Sequence, residues 1–149
     1  MRMTTINWIQ TAFYFFTILG IWLSWITFKA NQRIKRAEWL QSLFEKFYEG
    51  SHYKQVRRWL DFEDLLIKEL GNDAEHIIND GDHIKEEMLA DYLNFFEFIA
   101  SLEKLKQLSL KEIKLLFAYY LNRIKDIKLC TDYIEKGSYK NLSNLLKRV

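Results

Sequence analysis

The sequence contains no proline and only five glycines in 149 residues. Both residue types interrupt helices, so their scarcity favours long helices and excludes a chain rich in tight turns. Cys130 is the only cysteine, which excludes an intramolecular disulfide and gives no sign of an oxidising compartment. Apolar residues recur with helical spacing, whereas no segment shows the alternation with period two that strands require. These absences predict an all-α chain.

Formal charge is absent from residues 6–28. As a helix, these 23 residues are long enough to cross a bilayer core of about 30 Å. Trp8 lies near one end of this segment, and Trp22 and Trp25 lie near the other, as expected of tryptophan at the two membrane interfaces. A signal peptide would instead have a shorter apolar core, a basic start and a small-residue cleavage site. The segment therefore predicts a retained transmembrane anchor.

Four basic residues follow the apolar segment within eight positions, and one, Arg2, precedes it. Because positively charged residues next to a span stay in the cytoplasm, we expect the N-terminus outside and the chain from about Lys29 onward inside. This topology divides the chain into an anchor over residues 1–30 and a cytoplasmic helical domain over residues 31–149.

The cytoplasmic domain is expected to contain about four to five helices. No proline or glycine occurs between residues 20 and 50, so the anchor should be continuous with the first cytoplasmic helix. Residues 72–83 are polar and without periodicity, and we expect a loop or linker there. Ser109 and Glu112 form a capping-box pattern at the start of a later helix. The expected helices cover residues 6–49, 51–70, 82–105 and 109–137, with a short last helix at 139–146.

Charge is unevenly distributed beyond the anchor. Residues 61–97 contain 12 acidic and two basic residues, whereas residues 104–149 contain 11 basic and four acidic residues. Either the two halves pack beside each other or pair between subunits, or the basic half provides a dedicated anion site. The first interpretation is favoured because charge runs are usually solvated faces.

Polar and small residues recur along one face of the anchor. Gln10, Thr17 and Ser24 are seven residues apart, and Gly20 and Thr27 lie on interleaved positions. Small residues permit close helix contact, and polar side chains can hydrogen-bond across helices. We therefore expect this face to mediate self-association, and it could also line a pore. The alternative is that threonine and serine are tolerated in lipid because they bond to their own helix.

The stretch "SHYKQVRRW" places His52, Lys54, Arg57 and Arg58 at the start of a predicted helix. Free backbone N–H groups and the helix dipole favour anions at such a position. Lys54 lies three and four residues before the two arginines, so these side chains are neighbours on the helix surface. The four residues are the candidate site for a phosphate-bearing ligand. The alternative is that they face the acidic segment or lipid headgroups.

No residue pattern predicts catalysis or a metal site. The chain lacks the nucleophile-elbow, H-E-x-x-H and phosphate-loop motifs. His76 and His83 lie near Asp80 and Asp82, but their spacing matches no known ligand pattern. Glu97, between two phenylalanines, is expected to be partly buried and paired with a basic residue of the following helix. We expect no enzyme, no cofactor and no metal.

Short motifs in residues 91–124 carry a family resemblance. They are an aromatic-Phe-Glu-x-hydrophobic element and, after a turn, a Phe-x-x-Tyr element. With these motifs the chain resembles a family of uncharacterised bacterial single-pass membrane proteins, a domain of unknown function, that join one basic-flanked membrane helix to a helical cytoplasmic domain. The residues of the two elements are Phe95, Phe96, Glu97, Ile99, Phe117 and Tyr120.

The size, the single anchor and the compact lysine-rich helical domain are also similar to the membrane effector of type III CRISPR systems. That resemblance implies a homo-oligomer, a tetramer, which binds cyclic tetra-adenylate in the cytoplasm and perturbs the bacterial inner membrane in antiviral defence. It implies a cyclic oligoadenylate, the lipid bilayer and further copies of this chain as partners, and no duplex nucleic acid. The alternative is a membrane-tethered scaffold that binds a protein partner through residues 61–97 and needs no nucleotide.

Overall fold

The computed structural model describes residues 5–71 and 83–149, and within these ranges the chain forms seven α-helices and no strand. The prediction of an all-α fold is confirmed. The predicted helix start at Asp82 and most of the predicted loop, with His76 and Asp80, lie outside the described residues. The helices are α1 (Thr5–Glu49), α2 (Ser51–Asp61), α3 (Glu63–Leu70), α4 (His83–Lys104), α5 (Leu110–Asp126), α6 (Lys128–Lys136) and α7 (Lys140–Leu146).

The N-terminal helix α1 has 45 residues and is continuous, as the sequence predicted. Of the described helices, only α1 is long and apolar enough to cross a membrane, and none of its most apolar window is buried inside the protein. Large apolar side chains along it are exposed, for example Phe13 and Ile18 at 67% each. Residues 1–43 form one compact unit of the chain and residues 44–149 form a second. The predicted domain boundary at residue 30 is based on charge and marks where the chain would leave the membrane. It stays a prediction.

We call the second unit, residues 44–149, the helical unit, and its core is centred on Phe47, in the last turn of α1. This side chain is completely buried, and α4 supplies much of its surroundings. The helix α4 packs against α2, α3 and α7 and is therefore central, which is typical of a helix that is apolar around most of its circumference. Six aromatic rings have centroids 4.8–5.8 Å from that of Phe47, and they belong to Tyr53, Tyr92, Phe95, Phe96, Phe117 and Tyr120.

Two of the predicted helices are each divided in two. The helix expected over residues 51–70 is interrupted at Phe62, and the helix expected over 109–137 is interrupted at Ile127; both residues have extended backbones. In the described part of the chain, six helices therefore follow α1 rather than four to five. Neither position is a glycine or a proline, so no local signal marks the break. Each break lets the following helix turn its own buried residues toward the core.

The turn between α4 and α5 combines an expected feature with an unexpected one. The predicted capping box is confirmed, because the Ser109 hydroxyl accepts from the Glu112 backbone N–H at 3.2 Å and the Glu112 carboxylate accepts from the Ser109 N–H at 2.8 Å. Lys106, however, has a φ of 58°, a left-handed conformation that side chains other than glycine rarely adopt. The N–H of Gln107 donates to the Leu102 carbonyl at 2.9 Å and closes the end of α4.

Candidate ligand-binding cavity

A cavity of about 670 Å³ opens between α2, α5 and the last turn of α1, and we call it the α2–α5 cavity. Three of the four predicted ligand residues line it, and His52 is not among the lining residues. Residues two apart on a helix point to different sides, which separates His52 from Lys54. The lining residues are Tyr48, Glu49, Lys54, Arg57, Arg58, Asp61, Phe62, Tyr119 and Tyr120.

The start of α2 depends on a close backbone approach at Gly50. Gly50 occupies the cap position of α2, and no side chain caps the helix. A Cβ atom at Gly50 would lie 2.9 Å from the Tyr53 ring and 3.0 Å from the Lys46 carbonyl oxygen. Glycine therefore lets the chain turn sharply from α1 into α2. This turn brings the α2 cations next to the last residues of α1.

Arg57 is a structural residue of the cavity. It is only 8% exposed, and its Nη1 and Nη2 donate to the carbonyls of Phe47 at 2.6 Å and Tyr48 at 2.8 Å. The last carbonyls of a helix have no partner within the helix, so Arg57 satisfies two of these groups in α1. Its guanidinium also lies 4.9 Å from the Phe47 ring centroid and 5.0 Å from that of Tyr48. Arg57 thus fastens α2 to α1 and leaves a fixed positive charge at the cavity wall.

Lys54 and Arg58 are the exposed cations of the cavity. Two carboxylates, Glu49 and Asp61, line the same space, so the three cations exceed the acids by one charge. This balance suits a ligand that carries both anionic groups and hydrogen-bond donors better than a bare polyanion.

Tyrosine rings form the apolar part of the cavity. The Tyr119 hydroxyl donates to the Asp61 carboxylate at 2.7 Å, which joins α5 to α2 and raises the pKa of Tyr119. Burial raises the pKa of Tyr120, although the nearby Arg57 charge partly offsets the effect. Both phenols are therefore neutral near physiological pH. The rings of Tyr48 and Tyr119 are more than half exposed. The Tyr48 ring already stacks on Phe44 at 5.5 Å and lies 5.0 Å from the Arg57 guanidinium, so Tyr119 is the better candidate for stacking with a ligand.

The cavity residues that α1 and α5 contribute were not predicted from the sequence. Tyr48 and Tyr119 are 71 positions apart, and only packing within the helical unit brings them to one cavity. One local signal was the aromatic residue Tyr119, which lies between the buried Phe117 and the half-buried Tyr120 on one side and the exposed face of α5 on the other. A second signal, the carboxylate of Asp61 seven residues after Lys54, was present on the same face of α2.

The predicted association face of the anchor lies on α1, and its described side chains are exposed. The hydroxyl of Thr17 donates to the Phe13 carbonyl at 2.8 Å, and that of Thr27 donates to the Leu23 carbonyl at 2.9 Å. These bonds have the geometry of our alternative interpretation, in which the threonines bond to their own helix. A Cβ atom at Gly20 would meet no atom within 4 Å, which leaves that position open to a close neighbour. Self-association through Gln10, Thr17, Gly20, Ser24 and Thr27 stays a prediction.

Glu97 belongs to the wall of a second cavity of about 360 Å³ between α4 and α6. We expected a basic partner for it, but its carboxylate accepts from the backbone N–H and side-chain amide of Asn141 and from the N–H of Leu142. Glu97 therefore caps the start of α7. Among the described residues, no group of three or more His, Cys, Asp or Glu side chains could hold a metal ion.

Comparisons with known proteins identify no relative of this chain. No protein-family model, no curated protein and no solved structure matches the chain.

Proposed function

We propose that this protein is a single-pass membrane effector whose helical domain binds a nucleotide second messenger in the α2–α5 cavity. The observation that carries the proposal is the combination, in one cavity, of exposed cations with exposed tyrosine rings at the last turn of the apolar helix α1. The cavity volume of about 670 Å³ lies within the range that small-molecule sites occupy.

A nucleotide would use each type of group in this cavity. Its phosphates would bind Lys54 and Arg58, and a base would stack on Tyr119. The Asp61 carboxylate would accept a hydrogen bond from a ribose hydroxyl or an exocyclic amine. From the architectural resemblance, a cyclic oligoadenylate, and first of all cyclic tetra-adenylate, is the ligand to test.

In this proposal the ligand acts on the end of α1. Tyr48 belongs to α1, and Arg57 is bonded to its last carbonyls, so a ligand that displaced either side chain would alter this helix end. A nearly complete switch between two states requires a difference in binding free energy of about 5.5 kcal/mol. The membrane response would be pore opening or bilayer disruption in an oligomer, a tetramer, along the face at Gln10, Thr17, Gly20, Ser24 and Thr27.

The charge around the anchor supports the topology of the proposed setting, and the architectural resemblance supports the bacterial membrane and the role in defence. With its basic flank inside, the chain would lie in the bacterial inner membrane with its N-terminus outside and its helical domain in the cytoplasm. There it would serve antiviral defence without catalysing a reaction.

A membrane-tethered scaffold is the second candidate function. It is favoured by apolar side chains that the helical unit leaves exposed, including Leu115 at 83% and Phe62 at 58%. In that case a protein partner would cover these residues, and nucleotides would not bind.

The test is calorimetric titration of the full-length protein in lipid nanodiscs with cyclic oligoadenylates of different ring sizes. Linear oligoadenylates and cyclic dinucleotides are the ligand controls. We expect one ring size to bind, and we expect Lys54→Ala with Arg58→Ala to weaken binding roughly 100-fold or more, since each charge-assisted bond contributes about 1.5–3 kcal/mol. The matched control is Lys125→Ala with Lys128→Ala, which removes two exposed cations elsewhere.

Arg57 is left intact in this experiment because its loss would disturb the fold. If the folded protein binds none of the nucleotides, the sensor proposal is wrong and the scaffold becomes the leading candidate. If one ring size binds, leakage of dye from vesicles that contain the protein is the next measurement. Ligand-induced leakage would then separate membrane perturbation from binding alone.

A further inference from the structure

We propose that the turn between α4 and α5 docks on an anionic lipid surface. We define this lipid-docking turn as residues 104–111. It lies outside the α2–α5 cavity and does not require a nucleotide, so this proposal and the proposed function can fail independently.

The turn presents an apolar tip between two cations. Leu105 is 67% exposed and stands between the exposed side chains of Lys104 and Lys106, whereas Leu108 is buried and anchors the turn to the core. Segments that lie at a membrane interface place apolar side chains at the acyl boundary and lysines among the headgroups. Lys104, Leu105 and Lys106 have this arrangement within three consecutive residues.

The backbone at Lys106 supports a role for this side chain. Its φ of 58° would suit glycine, which adopts the left-handed region without steric cost. The chain instead carries a lysine there, held by the hydrogen bond from Gln107 to Leu102. Residues in unfavourable backbone conformations are often found at functional positions. Here the conformation holds a positive charge at the tip of the turn.

The surface around the turn is positively charged. Arg148 binds both carboxylate oxygens of Glu103, at 2.9 and 2.7 Å, and this pair brings the C-terminal residues to the turn. The carboxylate of Glu112 is bonded within the capping box. Four cations therefore lie at the turn together with two engaged carboxylates, a balance of +2 that is complementary to anionic lipid. The cations are Lys104, Lys106, Lys111 and Arg148.

The test uses the full-length protein reconstituted in vesicles of phosphatidylcholine alone or mixed with phosphatidylglycerol. A Leu105→Cys variant carries an environment-sensitive fluorophore, and brominated lipids quench a label that reaches the acyl boundary. The native Cys130 does not compete for the label, because burial raises the pKa of its thiol to about 12. The control label is placed at Asn122→Cys, on an exposed position about 18 Å further along α5.

We expect bromolipid quenching of the label at position 105, and not at 122, in phosphatidylglycerol vesicles, with a decrease in phosphatidylcholine and at high salt. Lys106→Asn with Lys111→Gln should lower the docking equilibrium constant roughly 25-fold, since each lysine near an anionic surface contributes about fivefold. Asparagine is chosen at 106 because it tolerates the left-handed conformation. The matched control, Lys125→Gln with Lys128→Gln, removes two exposed cations outside the turn.

Three results would overturn the proposal. Quenching that is equal in neutral and anionic vesicles and unchanged in Lys106→Asn with Lys111→Gln would show that anionic lipid is not recognised. An equal loss in the control pair would show attraction by net charge without a docking surface. A label at 105 that is shielded from water but not quenched by any bromolipid would show that protein covers the turn.

Discussion

The two units of the chain place the same residue types in opposite environments. In residues 1–43, Phe15 and Phe16 are 64% and 68% exposed, whereas in residues 44–149 Phe47 and Phe96 are completely buried. Burial in a core stabilises the second set in water, whereas the first set stays exposed and would be covered by lipid or by a partner helix. The comparison shows that apolar composition alone does not identify the solvent of a helix. It has to be combined with whether other side chains of the protein cover the helix.

Polar groups differ between the units in the same way. In the N-terminal unit the hydroxyls of Thr17 and Thr27 donate to carbonyls four residues earlier in the same helix. In the helical unit Arg57 and Glu97 bond to groups of other helices. A helix in lipid satisfies its polar groups locally, whereas a packed unit uses them to join its elements. Four substitutions test this difference, from the largest expected effect to the smallest.

Phe47→Ala should destabilise the helical unit more than any of the other three substitutions. Removal of a completely buried aromatic side chain leaves a cavity and costs about 3–5 kcal/mol of the free energy of unfolding. Urea denaturation of the detergent-solubilised chain, monitored by near-UV circular dichroism, measures the change in the free energy of unfolding. The matched variant Phe16→Ala should leave this transition in place, because Phe16 is 68% exposed. Equal losses in the two variants would contradict the contrast between the units.

Ile18→Arg should affect membrane insertion and not the helical unit. An arginine at the centre of a membrane helix makes insertion less favourable by about 3 kcal/mol. We expect a larger fraction of the variant to be extracted from membranes by alkaline carbonate. Ile84→Arg is the control, since Ile84 is similarly exposed, at 69% against 67%, but lies in the helical unit. If Ile18→Arg is retained as firmly as the wild type, the apolar segment is not a span.

Arg57→Ala should cost about 2–3 kcal/mol of stability, because two carbonyls at the end of α1 lose their charged donor. Its neighbour Arg58 is exposed, and Arg58→Ala should change stability by less than about 0.5 kcal/mol. Arg57→Lys should rescue only part of the loss, since a single ammonium group lacks the planar fork that reaches both carbonyls. Thermal denaturation of the three variants measures the order of their stabilities. Similar melting temperatures for Arg57→Ala and Arg58→Ala would contradict the structural role of Arg57.

Glu103→Gln should have the smallest effect, and the effect should depend on pH. The hydrogen bond from Arg148 lowers the pKa of Glu103 below its ordinary 4.5, so the folded state favours the charged carboxylate. The stabilisation is therefore present above pH 4.5 and is lost as the pH falls through the lowered pKa. Denaturation near neutral pH should show a small loss, as for other exposed ion pairs, and denaturation at lower pH should show none. A difference that persists in acid would mean that the substitution acts through packing.

Helix positions followed from local patterns and were predicted well. The continuous helix α1 and the capping box at Ser109 and Glu112 depend on neighbouring residues, and both are confirmed. The extended breaks at Phe62 and Ile127 were missed, because they carry no glycine or proline and serve to turn buried faces toward the core. The left-handed Lys106 was missed for the same reason, since glycine is the usual marker of that conformation.

By itself the sequence determined that the chain is helical and that α1 is an apolar helix of spanning length. Periodicity, the scarcity of helix breakers and the absence of charge act over a few turns, so the residues nearby in the chain are sufficient. Tertiary structure alone decided the roles of the adjacent Arg57 and Arg58 and joined Tyr48 to Tyr119 in one cavity. These outcomes depend on which surfaces of distant helices pack together, and no local pattern contains that information.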